Sequence, residues 1–278
     1  MKVMVPGELQ CEVDDFLWPW ERRTTPVLLQ HGFARNARFW NRWVPPLARE
    51  RRVYRPNVRG CGGSPFPPED FRFSSESLVQ DLLTVLDHFE IGRVDFVGEA
   101  SGGILGMLLC LRAPERVRSL VLCNTPAKLP EAFRNGHALD APSAPEAILK
   151  YGMREWCQRT IVSRLDTDRG GPELLAWYID EIATTPDHVG AAFTAWLESV
   201  DLSSDLPRIG VPSLIITGKR SAAYVEAQRA MAGRLAAARV VEVEEAGASV
   251  AVLAADQCVT EALRFWHGVD GASAMASR

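Results

Sequence analysis

The chain has 278 residues, of which 47% are hydrophobic, and that is enough for one sizeable core. Lysine and arginine total 31 against 35 aspartates and glutamates, so the net charge is −4, and neither nucleic acid nor a membrane is an expected partner. No apolar run has transmembrane length and residues 1–12 show no signal peptide, which favours a cytoplasmic protein. The six cysteines lack any CxxC or other metal-ligand spacing, so we expect no metal and no cofactor.

Short apolar runs alternate with amphipathic helical runs along most of the chain. Up to residue 123 the predicted elements are strands at 27–30 and 52–56, a helix at 75–90, a strand at 94–97, a helix at 101–111 and a strand at 120–123. After residue 207 they are a strand at 213–217, a helix at 225–235, a strand at 239–243 and a final helix that includes 260–266. This alternation predicts an α/β fold with a mainly parallel sheet between two layers of helices.

The middle of the chain differs from the rest, because it carries several helical patterns and no strand pattern. A helical segment between two strands of a sheet is typical of a lid. We expect its tryptophans, Trp156, Trp177 and Trp196, to form the core of the lid. The predicted division is a core of residues 1–125 and 207–270, a helical lid of residues 126–206 and a disordered tail of residues 271–278.

Four segments resemble the α/β-hydrolase superfamily in residue type and in spacing. H-G-F at 31–33 resembles its oxyanion motif, and G-E-A-S-G-G at 98–103 resembles its nucleophile elbow, G-x-S-x-G-G. N-V-R-G-C-G-G-S at 57–64 resembles the D-x-R-G-x-G-x-S loop with Asn57 in place of the aspartate, and P-E-R-V at 114–117 resembles the usual continuation. The resemblance implies an α/β-hydrolase fold: a mostly parallel eight-stranded sheet, flanking helices, and a helical lid inserted after strand 6.

The resemblance also implies an oxyanion hole made by the backbone N–H groups of Phe33 and Ser101. These donors do not depend on side-chain identity, and Ser101 opens a helix whose positive end favours a negative oxygen. His31 is expected to brace the oxyanion loop through its ring. The residues that the resemblance places around the substrate are His31, Gly32, Ala34, Arg35, Trp40, Asn124, Ser249 and Val250.

All three catalytic-triad positions implied by the resemblance are substituted. Ala100 stands in the place of the nucleophile, and a methyl group cannot attack a carbonyl. Ser221 stands in the place of the acid and cannot supply the charge that orients a histidine. Ala248 stands in the place of the histidine, and no histidine lies between His188 and His267. The sequence therefore predicts a hydrolase-like site without its usual chemistry.

Several other residues are candidates for chemistry at this site. Ser101 could line the pocket or act as a displaced nucleophile, and Glu99 could be a general acid or base or a carboxylate satisfied by polar neighbours. Cys61 is a weak nucleophile candidate, because nothing near it in sequence would lower its pKa. His137 and His188 belong to the lid and could reach the site only if the lid folds over it.

Three functions remain open at this point. The first is an atypical enzyme that binds a small apolar carbonyl compound and cyclises, isomerises, decarboxylates or eliminates it at the oxyanion hole. The second is a non-catalytic protein that binds such a ligand. The third is a serine hydrolase that uses Ser101, or an engineered inactive variant of an esterase or lactonase. Each of the three takes a small molecule as its partner and leaves the oligomeric state open.

Overall fold

The computed structural model describes residues 1–21, 24–220, 222–244 and 246–276. In these residues one eight-stranded sheet has the order β1-β2-β4-β3-β5-β6-β7-β8. The strands are β1 (Lys2–Val5), β2 (Leu9–Asp14), β3 (Val27–Gln30), β4 (Val53–Pro56), β5 (Val94–Glu99), β6 (Val117–Cys123), β7 (Ser213–Gly218) and β8 (Ala238–Val243). Strand β2 alone has the opposite direction, because it pairs antiparallel with both β1 and β4. The pairs from β4 to β8 in the sheet order are parallel. The predicted mostly parallel sheet with flanking helices is confirmed.

Ten α-helices accompany the sheet in the described part of the chain. They are α1 (Val44–Leu47), α2 (Ser75–His88), α3 (Ser101–Arg112), α4 (Glu131–Ala138), α5 (Ala144–Thr160), α6 (Thr167–Ile182), α7 (Asp187–Ser199), α8 (Ala222–Ala232), α9 (Val250–Leu253) and α10 (Ala255–Ala276). Ser74 caps α2, because its Oγ accepts a 3.0 Å hydrogen bond from the Ser77 N–H, and the Ser77 Oγ accepts one from the Ser74 N–H. Among the described helices, none is both long enough and apolar enough to cross a bilayer.

Helix α10 extends into the segment 271–278 that was expected to be disordered. It reaches Ala276, and residues 277–278 lie outside the described part of the chain. The physical reason is the alanine and methionine content of this end, because both residues favour a helix once the preceding turns have formed.

Successive residues of the central strands pack on opposite faces of the sheet. Leu28 and Leu120 belong to the cluster formed with α2 and α3 on one face. Leu29 and Val121, their neighbours in sequence, belong to the cluster formed with α1 and α10 on the other face. This period of two arises because side chains alternate along a strand. Both faces are therefore covered by helices, and the carboxyl ends of the strands remain for another element.

That element is the helical insertion, residues 126–206, which connects β6 to β7 and contains helices α4 to α7. All of its residues are described, and none of them lies in a strand. An isolated antiparallel β-bridge between Lys128 and Asp201 connects the two ends of the insertion. Trp156 and Trp196 are buried, whereas Trp177 packs against Phe39 of the core with ring centroids 4.6 Å apart.

Candidate active site

The turn between β5 and α3 has Ala100 at its tip. Ala100 has φ 51° and ψ −120°, a strained region for a residue with a side chain, and its N–H donates a 3.0 Å hydrogen bond to the Cys123 carbonyl. The turn is tight because Gly98 has no side chain: a Cβ there would lie 2.5 Å from the carbonyl carbon of Gly102. The methyl group of Ala100 therefore stands where the sequence motif predicts the nucleophile.

Two backbone donors lie beside Ala100. The N–H groups of Phe33 and Ser101 donate no hydrogen bond to any other described residue, and both residues line the same cavity. The loop that carries Phe33 packs closely on the elbow, since a Cβ on Gly32 would lie 3.5 Å from the Ala100 Cβ. Because Ser101 is the first residue of α3, its N–H also lies at the positive end of a helix. This arrangement can hold an oxygen that carries negative charge.

The cavity lies between the carboxyl ends of the strands and the helical insertion, and residues from both line it. Its apolar wall includes Ile104, Leu129, Phe133, Trp156 and Leu197. Its polar groups include Arg35, Glu99, Asn124, His137, Ser163, Arg164, Tyr178 and Ser249. A largely apolar cavity with a few polar groups is typical of a site for a small organic molecule.

At the positions predicted for the triad, no nucleophilic side chain stands next to a general base. Ala100 and Ala248 both line the cavity, and Ser221 lies outside the described residues. The Ser101 hydroxyl is buried and has no hydrogen-bond partner in the described part of the chain, so no base is in place to activate it. His137 is the one histidine among the described residues that line the cavity, and its Nε2 is 2.8 Å from the Ser163 Oγ.

Glu99 and Arg35 form a buried ion pair in the cavity wall. Arg35 also donates to the Tyr178 hydroxyl at 3.0 Å and to the Ser249 Oγ at 2.7 Å. Burial alone would lower the pKa of Arg35, but the Glu99 carboxylate and Tyr178 outweigh it and raise that pKa. The other Glu99 oxygen accepts from the Ala251 N–H at 3.2 Å. Glu99 is therefore held as the counter-ion of a fixed cation.

Asn124, at the end of β6, joins the loops that follow β7 and β8. Its Oδ1 accepts from the Gly218 N–H at 3.1 Å, and its Nδ2 donates to the Gly247 carbonyl at 2.7 Å. Asn124 lines the cavity, but both ends of its amide are engaged with the backbone. Its visible role is to fix the loop that precedes Ala248.

His31 connects the oxyanion loop to the loop at 57–64. The Val58 N–H donates to its Nε2 at 3.0 Å, so the ring proton is on Nδ1 and is donated to the Gly32 carbonyl at 2.8 Å. Burial lowers the pKa of His31 from 6.5 to about 4. The ring is therefore neutral at neutral pH and braces the loop from behind the cavity.

This neutral, buried histidine predicts acid sensitivity. Below pH 6.5 the unfolded chain binds a proton at His31, whereas the folded protein does not do so until about pH 4, so stability falls as the pH falls through this window. The expected loss from this residue is about 2 kcal/mol at pH 5, at about 1.4 kcal/mol per pH unit. Urea unfolding at pH 7 and pH 5 measures it. A His31→Gln variant should lose less stability between these pH values, and an identical loss would contradict the prediction.

Some residues predicted around the substrate lie elsewhere. Trp40 is in the core, with its ring centroid 5.0 Å from that of Trp43, and Val250 is fully buried in the same cluster. Neither residue therefore lines the cavity, in contrast to the expectation from the sequence. Gly32, Ala34 and His31 shape the loop but do not line the cavity. Of the other candidates, Cys61 is buried away from the cavity, and burial raises its pKa to about 12. His188 bonds instead to the Pro67 carbonyl, at 3.0 Å.

Sequence reasoning missed the polar residues that the helical insertion contributes to the cavity: Ser163, Arg164 and Tyr178. No motif marks them, because their place depends on how α5 and α6 pack over the sheet. An arginine in a helical segment usually lies on a solvated face.

The chain belongs to the alpha/beta hydrolase fold family, whose model matches residues 25–254. The enol-lactonase from Burkholderia xenovorans superposes with a TM-score of 0.81 at 24% identity, over 96% of this chain and 100% of that one. A thermophilic esterase from Thermogutta terrifontis also gives 0.81 at 24% identity, over 97% and 98% of the two chains. At these identities the likeness concerns the fold alone.

Among curated relatives, 2-hydroxy-6-oxo-2,4-heptadienoate hydrolase from Pseudomonas putida is 40% identical over 100 residues, which are 35% of this chain and 36% of that protein. 3-oxoadipate enol-lactonase 2 from Acinetobacter baylyi is 25% identical over 195 residues, 69% of this chain and 70% of that protein. The chain thus spans about a third of the length of the first relative.

Proposed function

We propose that this protein converts a small, largely apolar carbonyl compound without hydrolysing it. The observation that carries the proposal is the pair of free N–H donors, from Phe33 and Ser101, beside the methyl group of Ala100. Such donors stabilise an enolate or similar oxyanion, which is the charge that develops in decarboxylation, isomerisation, elimination and some cyclisations. A site that has lost its triad retains about 10³–10⁴-fold catalysis over water, which is too little for stable esters or amides.

The relatives indicate which compounds to try first. Their names concern an oxo-dienoate and an oxoadipate enol lactone. β-Keto acids, enol lactones and conjugated oxo acids are therefore the first panel. In a decarboxylation, the electrons of the broken C–C bond would move to the carbonyl oxygen facing the two donors, CO2 would leave, and the enolate carbon would then take a proton from water.

The test is incubation of the purified protein with this panel in isotopically labelled water, followed by mass spectrometry. We expect isomers, or products smaller by CO2 or water, without labelled oxygen in a new carboxylate. A Ser101→Ala variant keeps the backbone donor and should keep the conversion. Labelled carboxylate products that disappear in Ser101→Ala would instead reveal a displaced serine hydrolase.

Restoring the nucleophile alone should not restore hydrolysis. In an Ala100→Ser variant the new hydroxyl would stand at the elbow tip without a histidine, because position 248 is alanine. Hydrolysis of p-nitrophenyl acetate is expected to stay within about 10-fold of the unmodified protein. The control is Ser101→Ala in the same assay. A burst of p-nitrophenol from Ala100→Ser would contradict the prediction and indicate an esterase disabled at one position.

One observation favours a second function, binding without conversion. Glu99 is the one carboxylate among the described residues that line the cavity, and Arg35 neutralises it. Glu99 is therefore already engaged as a counter-ion, and no other carboxylate among the described lining residues is available as a general acid or base. If calorimetry shows tight binding of panel members that are recovered unchanged, the protein is a ligand-binding member of the family.

A further inference from the structure

Arg164 lies in the cavity wall on the side of the helical insertion, just before α6. Its guanidinium carbon is 4.0 Å from the centroid of the Trp156 ring and 5.2 Å from that of Phe33. The guanidinium therefore lies within cation–π distance of both rings, and Phe33 is also the residue that supplies one of the free N–H donors.

No carboxylate in the described part of the chain pairs with Arg164. Its Nε donates to the Thr160 Oγ1 at 3.1 Å, and the Tyr178 hydroxyl is a further polar neighbour, but neither group carries a balancing carboxylate charge. Arg35, the other arginine of the cavity, is neutralised by Glu99. Burial and, to a smaller extent, the neighbouring charge of Arg35 lower the pKa of Arg164, although Tyr178 opposes this shift.

The groups next to Arg164 add no compensating charge. The Ser163 hydroxyl donates to the Thr160 carbonyl at 2.8 Å, so its Oγ accepts the Nε2 proton of His137. Burial lowers the pKa of His137 to about 2, and its ring is neutral. Arg35, Glu99 and Arg164 are the charged side chains among the described residues that line the cavity, so its wall carries one net positive charge.

We infer that Arg164 is the recognition site for a ligand carboxylate, and that the protein takes a small unsaturated or aromatic monocarboxylate. A planar guanidinium matches a carboxylate through two parallel hydrogen bonds, and one net positive charge matches one anion. The apolar walls formed by Ile104, Phe133 and Leu197 suit a hydrocarbon body. This inference rests on the proposed function, because the carbonyl of the same ligand would face the Phe33 and Ser101 donors.

The experiment compares trans-cinnamate with cinnamamide, which have the same shape and differ in charge. Isothermal titration calorimetry is done on the unmodified protein, on Arg164→Met and on Arg72→Met, whose arginine is exposed and does not line the cavity. We expect the unmodified protein and Arg72→Met to bind the acid at least about 10-fold more tightly than the amide, as for other charge-assisted pairs. Arg164→Met should bind both equally.

Thermal unfolding provides a second readout. Because methionine can pack on Trp156 and removes a partly buried cation that has no carboxylate partner, the Tm of Arg164→Met should equal or exceed that of the unmodified protein. Equal binding of acid and amide by the unmodified protein, or a preference retained in Arg164→Met, would overturn the inference. No binding of cinnamate at millimolar concentration would overturn it as well. Neutral ketones such as benzalacetone test the proposed function separately, since their binding or conversion should persist in Arg164→Met.

Discussion

Replacing Glu99 with glutamine is expected to lower the free energy of unfolding by about 3–5 kcal/mol. Arg35 and Glu99 are 6% and 3% exposed, so the change would leave a guanidinium buried without a counter-ion. The amide also cannot accept strongly from both Arg35 and the Ala251 N–H. Urea unfolding followed by far-ultraviolet circular dichroism measures the loss. The same network includes Tyr178 and Ser249, so ligand binding should weaken together with stability.

The matched control for this variant is Glu155→Gln. Glu155 also pairs with an arginine, Arg159, but both side chains are about half exposed, and the expected cost is below about 0.5 kcal/mol. A double variant, Arg35→Met with Glu99→Leu, should regain most of the stability, because it removes both charges. A cost for Glu99→Gln as small as that for Glu155→Gln would show that the cavity wall admits more water than the structure indicates.

The second large effect is expected for Gly98→Ala. The new Cβ would lie 2.5 Å from both the carbonyl carbon and the carbonyl oxygen of Gly102, which belong to the backbone of α3 and cannot rotate away. We expect a loss of about 3 kcal/mol or more, or failure to fold, because a change of this kind forces α3 away from β5. Denaturant unfolding measures the loss in soluble protein.

Gly92→Ala serves as its control. A Cβ there would meet no atom within 4 Å, so the expected change is within about 0.5 kcal/mol. In any soluble Gly98→Ala protein, cavity ligands should bind weakly, because the Ser101 donor moves with α3. Unchanged stability of Gly98→Ala would mean that the elbow is looser than described and that Ala100 has no fixed position.

The fold was predictable because its signals are local. Strand β5, the turn at 98–103 and helix α3 form one continuous stretch of sequence, in which glycines allow two backbone segments to approach closely. The apolar run at the end of β6 supplies side chains to both faces of the sheet. Strands β1 and β2, the short helices α1 and α9 and the end of α10 were not predicted, since short or terminal elements depend on packing and on propensity.

The candidate site was predictable only where motif residues line it, as for Ala100 and Phe33, or where a residue flanks a motif, as for Arg35. Trp40 lies near the oxyanion loop in sequence, but its side chain points into the core, and sequence distance does not reveal that direction. Arg164 and Tyr178 belong to the helical insertion and line the cavity. Their positions depend on contacts between residues more than 100 positions apart in sequence, such as Arg35 and Tyr178. Local patterns hold no information about such contacts.

The backbone of Ala100 keeps a positive φ although its side chain has no nucleophilic atom. An unfavourable dihedral persists only when the surroundings determine it, and here the close approach of β5 to α3 does so. The geometry of the elbow is thus a property of the scaffold and is independent of the reaction performed on it. Evolution or design could exchange the chemistry at this tip without rebuilding the sheet, provided that a proton relay is supplied from the loops that follow β7 and β8.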